Sequence, residues 1–226
     1  MTTVADTRKL AKSLLNQNPD LVIIGRLVFY KQVGHLLRGI HIDRCRNKLR
    51  FCPKWIIDYL FRPMENYSIG IGEDIYSNQG EQWLIDNDNI GIKFANRMED
   101  IALPKLQEFQ TIEEFSKIKY NMSSFDTFTL AHTPIRKLYV DLALGKFEAA
   151  GKALELFSNQ RANEPKHVEP SEHFTELMDV VRPLVHAQDK AAIAALLHKW
   201  EAYSVKQLKL EKYWQKTPFP IEVDLS

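Results

Sequence analysis

His41, Asp43 and Cys45 stand at i, i+2 and i+4 in the run HIDRC, so an extended chain carries all three on one face. A thiol, an imidazole and a carboxylate are the parts of a cysteine nucleophile with an oriented base. Strand rise separates successive same-face positions by about 7 Å, too far for nucleophile-to-base contact unless the strand bends. A sheet surface is therefore the expected role. Cys45 and Cys52, the two cysteines of the chain, have six residues between them. That spacing fits neither a CxxC redox pair nor a zinc ligand set, and reduced thiols in a cytoplasm are expected.

Three further motifs suggest chemistry and then fail a requirement of it. Gly70 and Gly72 follow an apolar run like the start of a dinucleotide loop, but the third glycine position is Ile75, and Glu73 and Asp74 would set carboxylates beside a phosphate. Strand alternation accounts better for the segment, with Tyr67, Ile69, Ile71 and Ile75 on one face and a flat strip of Ser68, Gly70 and Gly72 on the other. Asp86, Asp88 and Gly91 match positions of a calcium loop, yet Ile90 and Arg97 occupy positions where ligands are needed, so a polar hairpin turn is expected. In HVEPSEHFTEL, Glu169, His173 and Glu176 can share a helical face beside His167 and Glu172, but no matching Glu and Glu-x-x-His sets exist elsewhere. Pro170 suits a first helical position, and acids in the first turn complement the helix dipole. No G-x-S-x-G, H-E-x-x-H or phosphate-loop motif occurs, and neither a metal nor a cofactor is expected.

The elements that would position these residues fall into two regimes. Val4, Ala11, Leu14 and Leu15 recur at helical spacing until NQNPD stops them. From Leu21 to about Phe94 the runs VIIGRLVFYKQV, LLRGIHIDRC, KLRFCPKWIIDYLF, YSIGIGEDIY and NIGIKF are short, β-branched and aromatic. They predict an antiparallel meander, with Leu49 and Phe51 alternating against Lys48 and Arg50 as on a sheet with one wet face. Beyond Phe94 helices dominate, and Thr111 with Glu114 forms a capping box. Helical hairpins are predicted with breaks at Gly145 and at Gln188–Asp189, and a last long helix over Ala191–Trp214. Between the hairpins, SNQRANEPKHVEPS reads as an exposed loop. In LGKFEAAGKALEL, Gly145, Phe147, Ala150 and Ala153 sit where a tetratricopeptide repeat has its small and aromatic positions, and this one hairpin resembles part of such a repeat. Tandem copies are missing, so convergent helix packing is the simpler account. The expected class is α+β: a twisted antiparallel sheet with flanking helices in residues 1–125, then an all-helical hairpin region in 126–226 that can pack on the sheet as one unit.

Charge supplies the sharpest functional expectation. The net charge is +1, so no overall field favours nucleic acid or an anionic membrane, and no segment has the apolar length of a membrane span. Locally the sequence is polarised: Lys31 to Lys54 carries seven basic residues and one acid, and Glu65 to Ile92 carries six acids and no Lys or Arg. Neighbouring strands can neutralise one another, or Arg38, Arg44, Arg46 and Arg50 can form a patch for a partner. No RNA-recognition consensus accompanies them, which disfavours nucleic acid. Trp200, Tyr203 and Trp214 add aromatic surface suited to a protein partner or a second copy of the chain. A non-enzymatic protein-interaction or binding module is expected. The alternatives are an enzyme or small-ligand binder with its site between sheet and helices, and a nucleic-acid binder using the basic strands.

Overall fold

Short β-branched runs and tight turns set the sheet, and the computed structural model describes the chain over residues 3–69, 71–77, 82–121, 127–129, 134–162 and 172–223. β1 (Leu21–Ile24) and β2 (Leu27–Tyr30) pair around the turn Gly25–Arg26, where Gly25 takes the positive φ of 59° that a two-residue hairpin turn favours. β3 (Leu36–Arg44), β4 (Phe51–Tyr59) and β5 (Gly72–Asp74) follow, all antiparallel, in the order β1-β2-β3-β4-β5. The expected meander and the α+β class are both present.

Alternation along β3 and β4 loads both faces of this sheet. Val28, Ile40, Ile42, Trp55, Ile57 and Tyr59 enter the main core, while Leu27, Phe29, Leu37 and Ile56 enter a second buried cluster on the opposite side. The expected wet face is thus wet over only part of its length, at the His41–Lys54 and Asp43–Cys52 positions. Across the second face, Phe29, Gly39, Ile56 and Gly72 are successive register partners. A Cβ on Gly39 would lie 2.4 Å from the Val28 carbonyl oxygen, and one on Gly72, at φ 145°, would lie 1.8 Å from that of Trp55. Gly72 is therefore required by the close approach of β4, not by a ligand. The strand covers only Gly72–Asp74, and the expected face is not kept: Ile71 and Ile75 are buried in the main core, Ile69 is 41% exposed, and Tyr67 packs on the second cluster. Gly70 lies outside the described residues.

α1 (Val4–Gln17) starts at a capping box in which Thr3 Oγ1 accepts from the Asp6 amide and the Asp6 carboxylate accepts from the Thr3 amide. It buries Leu10, Ala11 and Leu14 in the main core. NIGIKF departs from its expected strand and begins α2 (Ile90–Arg97). Ile90, Ile92 and Phe94 alternate as in a strand, but Ile90, Phe94 and Met98 also recur at helical spacing, and the helical set reaches the core. A π-helical turn, Met98–Ala102, joins α2 to α3 (Leu103–Gln107), and Leu177–Val181 likewise joins α7 (Glu172–Glu176) to α8 (Arg182–Ala187). Each π turn leads into a proline, Pro104 or Pro183, whose missing N–H interrupts the α-helical ladder. α4 (Ile112–Phe115) begins at the expected Thr111–Glu114 capping box. The short strands β6 (Lys119–Asn121) and β7 (Thr127–Thr129) pair antiparallel as a separate two-stranded sheet.

Both expected hairpins form. α5 (Pro134–Ala143) and α6 (Phe147–Ala162) turn at Gly145, φ 66°; α8 and α9 (Lys190–Gln207) turn at Gln188, φ 52°, with Asp189 Oδ1 accepting from the Ala192 amide. The long helix α9 stops seven residues before Trp214, which corrects its expected length. Lys209 turns left-handed at φ 59° and the Leu210 amide donates to the Val205 carbonyl, so the chain doubles back as a strap over the second face. There the Val33 amide donates to Tyr213 O and the Gln215 amide to Val33 O. Val205 and Leu210, with Tyr213 and Trp214 against them, close over Phe29 and Ile56. The chain then reaches α10 (Pro220–Val223). Tyr59 and Phe61 meet Phe115, Tyr139 and Phe219 by ring contacts of 5.5 to 5.9 Å, so the main core draws on sheet and helices alike.

Candidate functional site

The loop 45–50 between β3 and β4 is held by its own polar groups. The Cys45 amide reaches the Arg50 carbonyl at 3.4 Å, and Asn47 Oδ1 accepts from the Leu49 amide at 3.0 Å. The Phe51 amide donates to Trp83 O and the Ile85 amide to Leu49 O, which ties the root of the hairpin to residues 83–85. With its backbone fixed, the tip presents Arg44, Arg46, Lys48 and Leu49 as exposed side chains, and Arg50 is half-buried at the base. Leu49 is 45% exposed, so it does not alternate with Phe51 into the sheet as expected.

Arg38 does not join this group. It is half-buried, donates from Nη1 to the Leu106 carbonyl at 3.1 Å and lies over the Tyr30 ring at 5.0 Å. Burial lowers its pKa from the ordinary arginine value. At the Lys54–Asp74 position the basic and acidic runs become cross-strand neighbours.

Below the tip the second face turns polar. His41 Nδ1 and the Tyr67 hydroxyl are 2.8 Å apart, and His41 Nε2 lies 3.8 Å from Asp43 Oδ1. Burial pulls the His41 pKa down against the opposing pull of Asp43, and burial first, then Asp43, pushes Tyr67 up to about 12. Cys45, the third residue of the HIDRC set, meets Cys52 instead, with 2.7 Å between the sulfur atoms. Burial, then the hydrogen bond with Cys45, pushes the Cys52 thiol up to about 12. Further along this face the buried Asp58 accepts from the Ser68 amide at 2.6 Å and from Arg62 Nη2 at 3.2 Å. Burial raises its pKa, while Arg62 and the Ser68 amide act to lower it.

The aromatic candidates separate. Trp200 is buried and donates from Nε1 to Glu176 Oε1 at 3.0 Å. Trp214 is half-buried in the strap. Tyr203 is exposed and lines, with Met64, Glu65, Glu172, Glu176 and Lys199, a groove of about 440 Å³. Asp86, Asp88 and Gly91 border another groove, of about 550 Å³, between α1 and the start of α2. His167 and Glu169 lie outside the described residues. Among the described residues no group of three or more His, Cys, Asp or Glu is placed to hold a metal, and no helix is long and apolar enough to cross a membrane.

One cluster had no signature in the sequence. His35 Nδ1 meets the buried Glu201 Oε1 at 2.8 Å, and His198 Nε2 meets Glu222 Oε2 at 2.9 Å. Glu201 Oε2 faces His198 Nδ1 at 3.9 Å, beyond a hydrogen bond. Phe219 stacks on His35 at 4.0 Å, and its amide donates to Glu222 at 2.6 Å. Three distant segments are fastened together here, so the cluster acts as a clasp for the end of the chain. Comparison with known proteins finds no matching family model, no similar curated protein and no similar solved structure.

Proposed function

We propose that the protein is a non-enzymatic binding module that docks the β3–β4 hairpin tip onto an acidic protein surface. The observation that carries this reading is the set Arg44, Arg46, Lys48 and Leu49, all exposed at the end of β3 and on the loop after it, whose backbone is already fixed. A fixed loop loses little conformational entropy on binding, the cations steer an acidic partner, and Leu49 supplies an apolar anchor among them. The run 44–50 contains no aromatic residue on which a base could stack, which favours protein over nucleic acid. Arg38, Trp200 and Trp214 leave this surface because their contacts are internal. A cytoplasmic setting belongs to the same reading, supported by the two free thiols.

The test compares wild type with the Arg46→Glu/Lys48→Glu chain in nuclease-treated affinity capture at graded salt. A stoichiometric acidic protein held by wild type, released by salt and lost from the variant at an unchanged melting temperature is the expected result. Equal capture by both chains would overturn the proposal.

A further inference from the structure

We infer that Cys45 and Cys52 form a reversible dithiol–disulfide site at the root of the β3–β4 hairpin, with a small anionic disulfide of the glutathione type as its oxidant. Asp43 is the register partner of Cys52, and the Cys45 amide pairs with the Arg50 carbonyl, so the two cysteines are diagonal neighbours on adjacent strands. Their sulfur atoms are 2.7 Å apart, within about 0.7 Å of a bonded pair. The register pairs Asp43 with Cys52 and Arg44 with Phe51, and the Cys45 amide bond to the Arg50 carbonyl, hold that approach. Both residues are only half-buried, so a small oxidant can reach them. Arg44, Arg46 and Lys48 are exposed on the same hairpin, and their positive charge draws an anionic disulfide.

The exchange balances without any further reactant. Cys45, nearer the tip, attacks one sulfur of glutathione disulfide as its thiolate; a Cys45–glutathione bond forms, the disulfide bond of the oxidant breaks, and one glutathione leaves. Cys52 then gives its proton to water and attacks the Cys45 sulfur, expelling the second glutathione. Two protein thiols are oxidised by two electrons, one glutathione disulfide is reduced to two thiols, and the protons of Cys45 and Cys52 balance those taken up by the leaving thiolates. The raised Cys52 pKa leaves little of it as thiolate, and the high effective concentration of the intramolecular step offsets that small fraction. None of this depends on the binding reading, since the chemistry is measured on the isolated protein.

The folded full-length chain is equilibrated over a series of reduced-to-oxidised glutathione ratios, quenched with acid, and mapped by peptide mass spectrometry. Wild type is expected to lose two hydrogens, retain no glutathione and yield a Cys45–Cys52 linked peptide. Cys52→Ser is expected to stop with one glutathione on Cys45, and Cys45→Ser to react about tenfold more slowly. Circular dichroism checks that both variants fold, and each cysteine is also judged in wild type by the linked peptide itself. Wild type that stays reduced throughout, or that accumulates glutathione on either cysteine with no linked peptide, would overturn the inference.

Discussion

His41 shows how a single side chain can report on the sheet. It sits half-buried against the Tyr67 hydroxyl, with Asp43, Arg26 and Lys54 as the charges around it. Burial lowers its folded pKa below 6.5, so between the folded and unfolded values the unfolded chain binds the extra proton. The neutral ring's stabilising contribution is complete above that unfolded value and is lost as pH falls through the folded one. Urea midpoints measured from about pH 7.5 down to about pH 5 are expected to fall less steeply for His41→Gln than for wild type. Parallel profiles would show that His41 carries no such linkage. The same face explains why His41 is not placed as a base for Cys45: the strand leaves His41 to Tyr67 and turns Cys45 to Cys52. Spacing along one strand could not reveal the second contact, because it depends on the register of the next strand.

At the scale of elements, local grammar was readable wherever the signal was local. The Thr111–Glu114 capping box and the breaks at Gly145 and Gln188–Asp189 each rest on residues within one turn of chain. NIGIKF misled because its apolar residues satisfy two periods at once, and only packing against α1 and the core chooses the helical one. The strap after α9 was hidden because Leu208, Tyr213 and Trp214 look like a continuing helix until Lys209 turns left-handed. The clasp of His35, Glu201, His198 and Glu222 was illegible, as its members come from segments that only the tertiary fold unites. Its importance to the C-terminal region can be measured. Glu201→Ala leaves the His35 ring without its buried partner and is expected to cost about 2 kcal/mol in urea unfolding, with Glu201→Gln costing less because it retains an acceptor. Equal stability of all three chains would show that the clasp holds nothing.

For the whole molecule, one consequence of the two-faced sheet is that little of it is left for partners. The main core covers one side and the strap covers the upper part of the other, so Arg38, Trp200 and Trp214 are engaged internally. Of the four arginines expected to form a patch, Arg38 turns inward, Arg50 is half-buried, and Arg44 and Arg46 stay exposed at the hairpin tip. Charge counting picks out the basic stretch of chain but cannot divide its inward from its outward cations, since that division follows from β3–β4 register and from the helix against Arg38. The most direct test of the binding role is hydrogen exchange of the captured complex against the free protein. Slowed exchange confined to residues 44–50 and the adjoining strand ends is the result expected. Slowed exchange at the Met64–Tyr203 groove with none at the tip would contradict it.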